Sequence, residues 1–97
     1  MKPKITEIQI IPVKPKNGLV AFVSFVLNDV LYLGSIGIMT KLKGGYRLVY
    51  PTKKIKEKNI NIFHPIKKDF ALEIEKKVIE EFENLMKKYD RHNSFNS

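Results

Sequence analysis

Lys53, Lys54, Lys56 and Lys58 set four ammonium groups within six residues, with Glu57 the one carboxylate among them. Ammonium groups at that density hold phosphate oxygens as point charges, so the chemistry on offer is polyanion binding. The rest of the inventory narrows the field. The chain has no cysteine, which removes disulfides, thiol nucleophiles, iron–sulfur clusters and thiolate zinc sites. It carries no nucleophile elbow, Walker loop, dinucleotide fingerprint or paired metal-ligand spacing. Its histidines, His64 and His92, lie far apart, and His64 between Phe63 and Pro65 at a strand exit suits a structural hydrogen bond better than a base. The carboxylates gather toward the C-terminus in charge pairs, without the polar pocket that acid–base work needs. The expectation is a protein that is not an enzyme and uses no cofactor, metal or small-molecule substrate.

The chain has 97 residues, 43% of them apolar, and a formal charge of +8. That length serves one small domain with one core, expected over residues 1–92 with 93–97 as a flexible tail. The charge is unevenly placed. Residues 1–66 hold eleven basic and three acidic side chains, and residues 67–97 hold seven of each. Only Arg47 and Arg91 offer a guanidinium fork. No signal peptide is recognisable at the start, and the apolar stretch Leu19 to Leu27 is half of what a spanning helix requires, so a cytoplasmic chain without membrane contact is expected.

The elements that must position the lysines follow from hydrophobic period. Lys4 to Val13 is β-branched, Pro15-Lys16-Asn17-Gly18 is a turn cluster, and Leu19 to Asn28 is a second strand. Asn28-Asp29 turns the chain into a third strand, Val30 to Thr40, whose Gly34 and Gly37 signal a bulge or close approach. Lys41 to Gly45 turns again into a fourth strand, Tyr46 to Tyr50. Thr52 to Asn59 reads as a polar loop, and Ile60 to Phe63 as a short fifth strand. After Pro65 the period changes: Phe70, Ile74, Val78, Phe82, Leu85 and Tyr89 recur at steps of three and four, predicting one helix over 69–89 with Asp69 as N-cap. Glu73 with Lys77 and Glu83 with Lys87 have the favourable i to i+4 order, and Lys87, Lys88 and Arg91 complement the helix C-terminus.

Short connections favour antiparallel neighbours, giving an α+β fold: a β-meander of four to five strands followed by one long C-terminal α-helix. The second strand is apolar on both faces, with Leu19, Ala21, Val23, Phe25 and Leu27 pointing one way and Val20, Phe22 and Val26 the other. One helix covers one face, so a second copy of the chain is the simplest cover for the other, and a homodimer is expected. The meander gathers Lys14, Lys16, Lys41 and Lys43 at one end of the sheet, and Lys2 and the 53–58 lysines at the other. Tyr46 and Tyr50 share parity with Leu48, which favours core packing over base stacking.

Four segments then carry a resemblance. Ile5-Thr6-Glu7-Ile8, Leu27-Asn28-Asp29, Gly45 to Lys54 with its Pro51-Thr52-Lys53-Lys54, and Ile62-Phe63-His64-Pro65-Ile66, in that order and spacing, resemble the SpoVG family, the stage V sporulation protein G or septation regulator of bacteria. The likeness runs from about Ile5 to Lys88. It implies a small α+β regulator that dimerises and binds DNA, in some members RNA, with effects on septation, sporulation or gene expression. By position it makes Lys53 and Lys54 the leading nucleic-acid contacts and His64-Pro65-Ile66 a hinge into the helix. Gly37 stands where the family commonly has Arg, and Lys54 where it has Arg, which leaves backbone contact in place and weakens base reading.

The expected function is that of a dimeric nucleic-acid-binding regulator acting mainly through lysine–phosphate contacts. The expected site comprises Lys53, Lys54, Lys56 and Lys58, helped by Lys87, Lys88 and Arg91. The alternative is a protein-interaction module of the cell-division or sporulation machinery, in which the sheet and the exposed helix face engage an acidic partner without specific nucleic-acid binding.

Overall fold

The computed structural model describes residues 2–96, and side chains as far as Lys88. The elements are β1 (Ile5–Lys16), β2 (Leu19–Leu27), β3 (Leu31–Thr40), β4 (Tyr46–Val49), β5 (Thr52–Ile55), β6 (Lys58–Asn61) and α1 (Lys68–Asn96). Strands β1 to β4 form an antiparallel meander in chain order, and β5 and β6 form a separate two-stranded sheet. The fold is α+β, as the sequence pattern implies.

Each tight turn follows from local chemistry. Asn17 and Gly18 both take positive φ, 52° and 90°, the pairing that a two-residue hairpin between right-twisted strands demands. Strand β1 therefore runs on to Lys16, past Pro15, and only Asn17-Gly18 turn the chain. Asn28 and Asp29 repeat the geometry at 52° and 60°, and the Val30 N–H donates to the Leu27 carbonyl at 3.1 Å. This turn is tied back to the start of β1. The Lys4 N–H donates to Asn28 Oδ1 at 2.8 Å, the Asn28 N–H donates to the Lys4 carbonyl at 2.8 Å, and Lys4 Nζ lies 2.6 Å from Asp29 Oδ2.

The core forms where one sheet face meets α1. Ala21, Val23 and Phe25 of β2, Ile36 and Ile38 of β3, Leu48 of β4, and Ile74, Val78 and Phe82 of the helix are buried together. The i, i+4, i+8 spacing of the helical three is the stripe read from the sequence. Tyr46 packs edge-on to Phe82 at 4.9 Å between ring centroids, and Tyr50 to Phe63 at 5.9 Å, so both tyrosines pack as their parity implied.

Four irregularities interrupt the register, one of them in β1 between Pro12 and Lys16, where Val13, Lys14 and Pro15 stand against Val20 alone. Glu7 and Ile8 stand against Phe25 alone, and Gly34 and Ser35 against Ser24 alone, with Glu7 and Ser35 at φ of 51° and 60°. Another, in the β2–β3 ladder, lies between Leu19 and Ala21. It reverses the simple alternation: Val20 packs against the core, and Leu19 turns to the opposite face, where its Cδ1 would stand 3.0 Å from a Cβ at Gly37. The grouping of Leu19 with Ala21 is thereby corrected, and Gly37 is the place of close approach.

The helix also departs from expectation. It begins at Lys68, so Asp69 lies inside its first turn, with its Oδ1 accepting from the Phe70 N–H at 2.9 Å. A carboxylate there complements the positive end of the helix dipole without being an N-cap. The backbone stays helical to Asn96 because no Gly or Pro follows Pro65 to stop it. Lys87, Lys88 and Arg91 consequently precede the last turn, which holds no basic residue. The expected tail at 93–97 and the side chain of Arg91 lie outside the described side chains.

Candidate nucleic-acid interface

The segment expected to be a loop is a ribbon. Thr52 pairs with Asn61, Lys53 with Ile60, Lys54 with Asn59 and Ile55 with Lys58, and the chain reverses at Lys56-Glu57. The fifth strand accordingly ends at Asn61 instead of spanning Ile60 to Phe63. All eight strand residues are exposed, and the ribbon joins the body through the Ile62 N–H, which donates to the Pro51 carbonyl at 3.0 Å. Lys56 takes a φ of 57° at the first turn position, which usually falls to Gly or Asn.

Direct cross-strand partners share a face, so the pairing divides the ribbon into two chemistries. One face carries Lys53 and Lys58 with Ile55 and Ile60, whose diagonal placement lets the two isoleucines touch. The other carries Thr52, Lys54, Asn59 and Asn61. Thr52, Asn59 and Asn61 were not singled out from the sequence. The signal was there as polar residues at a spacing of two on either side of Lys56-Glu57, but that dipeptide lacks the residues that announce a hairpin.

Lys53, Lys54, Lys56 and Lys58 are thus brought together on one projecting element. Among the described residues none of them has a carboxylate within salt-bridge distance; the ion pair made is Lys4 with Asp29, and the helical pairs Glu73–Lys77 and Glu83–Lys87 do not close. Lys87 and Lys88 are exposed and belong to α1, not to the ribbon. The chain leaves the ribbon at Asn61 and enters α1 at Lys68, and Lys87 lies 19 residues on, about 28 Å along a helix axis.

Two other surfaces stand out. The sheet face away from α1 exposes Ile11 (65%), Phe22 (41%) and Tyr32 (69%), all of them uncovered. Between the start of α1 and the β2–β3 turn lies an apolar cleft of about 440 Å³, walled by Leu27, Leu33, Phe63 and Phe70 with His64 at its edge. His64 is exposed, its Nδ1 lying 3.1 Å from the Pro65 carbonyl oxygen. The Tyr50 hydroxyl is buried without a partner, and its pKa is pushed up to about 12, chiefly by burial and secondly by the Glu75 carboxylate. Among the described residues no helix is long and apolar enough to cross a membrane, and no three His, Cys, Asp or Glu converge on a metal position.

A four-stranded meander backed by one C-terminal helix, with a lysine ribbon inserted between them, defines a small α+β domain of the kind that the central Pro-Thr-Lys-Lys segment suggests. The sequence profile of the SpoVG family matches residues 3–84, and the chain belongs to that family. No curated protein matches the chain by sequence.

Proposed function

We propose that this protein is a dimeric nucleic-acid-binding regulator of the SpoVG type, acting in the cytoplasm on septation, sporulation or gene expression, with the β5–β6 ribbon as its contact. The observation that carries the reading is four lysines on a free-standing ribbon, unpaired among the described residues. A solvated ammonium with no carboxylate partner exchanges its counterions for phosphate at no cost in broken ion pairs. Dimer symmetry doubles the ribbon, and the exposed apolar sheet face with Ile11, Phe22 and Tyr32 is the surface a second copy would bury. Lys87 and Lys88, distant along the helix, act as a secondary patch. The regulatory role that the family resemblance implies supports the assignment.

Fluorescence anisotropy with duplex and single-stranded DNA across a salt series tests the proposal. If about four phosphates are neutralised, log K falls against log salt with a slope near −3.6 on duplex. Failure to bind at low salt, or binding unchanged by Lys53→Ala combined with Lys54→Ala, removes the assignment.

A further inference from the structure

We propose that the ribbon enters the major groove of B-form DNA with Thr52, Lys54, Asn59 and Asn61 turned toward the base edges. This rests on the nucleic-acid reading above and extends it from phosphate contact to sequence readout.

Shape is the first argument. Strands β5 and β6 are four residues each, about 13 Å long, and two paired strands lie about 4.8 Å apart. A two-stranded ribbon of that cross-section fits a major groove about 12 Å wide and 8.5 Å deep. The deep, narrow major groove of A-form RNA does not admit it. The ribbon is a sheet of its own, and all eight of its strand residues are exposed.

The division of the faces is the second. A carboxamide presents one donor and one acceptor side by side, the complement of adenine N6 and N7, and an ammonium complements guanine O6 and N7. Two carboxamides, one ammonium and one hydroxyl occupy a single face, and no apolar side chain interrupts them. Asn59 and Asn61 are two residues apart on one strand, a same-face spacing of about 6.7 Å, close to two base-pair steps of 3.4 Å. The face of Lys53, Ile55, Lys58 and Ile60 has the opposite character. Its isoleucines are diagonal neighbours across the ribbon, and its long lysine stems reach outward to the phosphates that border the groove.

The test begins with selection by the full-length protein from a randomised duplex library. The selected duplex, a scrambled duplex, the selected duplex with 7-deazaadenine for adenine, and double-stranded RNA of the same sequence are then titrated. The variants are Asn59→Ala with Asn61→Ala, and Lys53→Ala with Lys58→Ala, all at exposed positions, with circular dichroism confirming an unchanged fold. The expected result is an adenine-containing motif bound on the order of tenfold or more tighter than the scramble. The asparagine variant loses that ratio while keeping its salt slope, and the lysine variant keeps the ratio while its slope shrinks. 7-Deazaadenine weakens the parent protein and not the asparagine variant, and the RNA duplex binds more weakly than DNA. Salt-sensitive binding with no enriched motif, a ratio that survives the asparagine substitutions, or equal affinity for duplex RNA overturns groove reading and leaves phosphate binding standing. Absence of any binding at low salt overturns both.

Discussion

Lys53 and Lys54 are adjacent in sequence and stand on opposite faces of the β5–β6 ribbon, one across from Ile60 and the other across from Asn59. What reads as one basic dipeptide is therefore two contacts with different surroundings. Lys53 shares its face with Lys58 and two isoleucines, and Lys54 shares its own with two carboxamides and a threonine. Alternation along the strand, not proximity in sequence, decides which phosphate or base each ammonium can reach.

Single substitutions separate the two. Lys53→Ala is expected to reduce the salt slope on duplex DNA by about 0.9 and to weaken all sequences alike, the mark of one lost phosphate contact. Lys54→Ala is expected to weaken a preferred duplex more than a scrambled one. Anisotropy titrations of both variants at three salt concentrations check this, and identical effects on slope and preference would show that the two lysines do the same work.

The turn at Lys56 gives a prediction about the ribbon itself. A two-stranded hairpin is marginal in water, and this one carries a side chain at φ 57°, which costs a residue with a Cβ about 1–2 kcal/mol. Lys56→Gly removes that strain but adds backbone freedom to the unfolded chain, worth about 0.5–1 kcal/mol. The expected net is a modestly firmer ribbon, seen as several-fold slower amide exchange across β5 and β6 with exchange in β2 unchanged. Faster exchange in the ribbon would contradict it. The same variant loses one ammonium, so its DNA affinity falls even as the ribbon stiffens.

That turn also explains which parts of the molecule were legible in the sequence. Asn17-Gly18 announces its hairpin because both positions need positive φ and these residues adopt it readily. The helix announces its inner face because Ile74, Val78 and Phe82 repeat at the helical period and all are buried. Lys56-Glu57 announces nothing: a lysine forced into left-handed backbone looks like any loop lysine, and in strands of four residues where Lys and Asn fill five of the eight positions, Thr52, Ile55 and Ile60 are too few to stand out as a strand pattern. Leu19 and Val20 take the faces opposite to those a simple alternation gives, because alternation assumes an unbroken ladder and one bulge inverts it. The asparagines of the candidate site were hidden by the same omission, since a face exists only once the pairing is known.

The uncovered sheet face yields a test of assembly. Phe22 pairs with Ile11 on one side and Gly37 on the other, and it is 41% exposed on the open face. If a second copy covers that face, Phe22→Glu places a carboxylate in an apolar interface, where leaving it unpaired is strongly unfavourable. Sedimentation equilibrium is expected to give a dimer for the parent protein and a monomer for the variant, with matching circular dichroism. A parent protein that is monomeric at micromolar concentration, or a variant that stays dimeric, would move the interface elsewhere.

Tyr50 supplies a prediction about alkaline stability. Its hydroxyl is buried without a hydrogen-bond partner, and its pKa is pushed from 10.0 to about 12, first by burial and then by the Glu75 carboxylate. Below pH 10 the phenol is neutral in folded and unfolded chains alike, so the shift has no effect on stability there. Between pH 10 and about 12 the unfolded chain releases the proton while the folded chain keeps it. The unfolded state then binds fewer protons, and stability falls as pH rises through that window. Tyr50→Phe removes this dependence. It also removes an unsatisfied polar atom while keeping the ring that packs edge-on against Phe63, so at pH 7 the substitution is expected to be neutral or slightly stabilising, by less than about 1 kcal/mol. Urea denaturation of both proteins at pH 7, 9, 10 and 11 measures the difference. The advantage of the variant should be small and constant to pH 9 and should widen above pH 10. A loss of stability at pH 7 would mean that the hydroxyl has a partner in solution, and a constant difference through pH 11 would mean that Tyr50 titrates alike in both states.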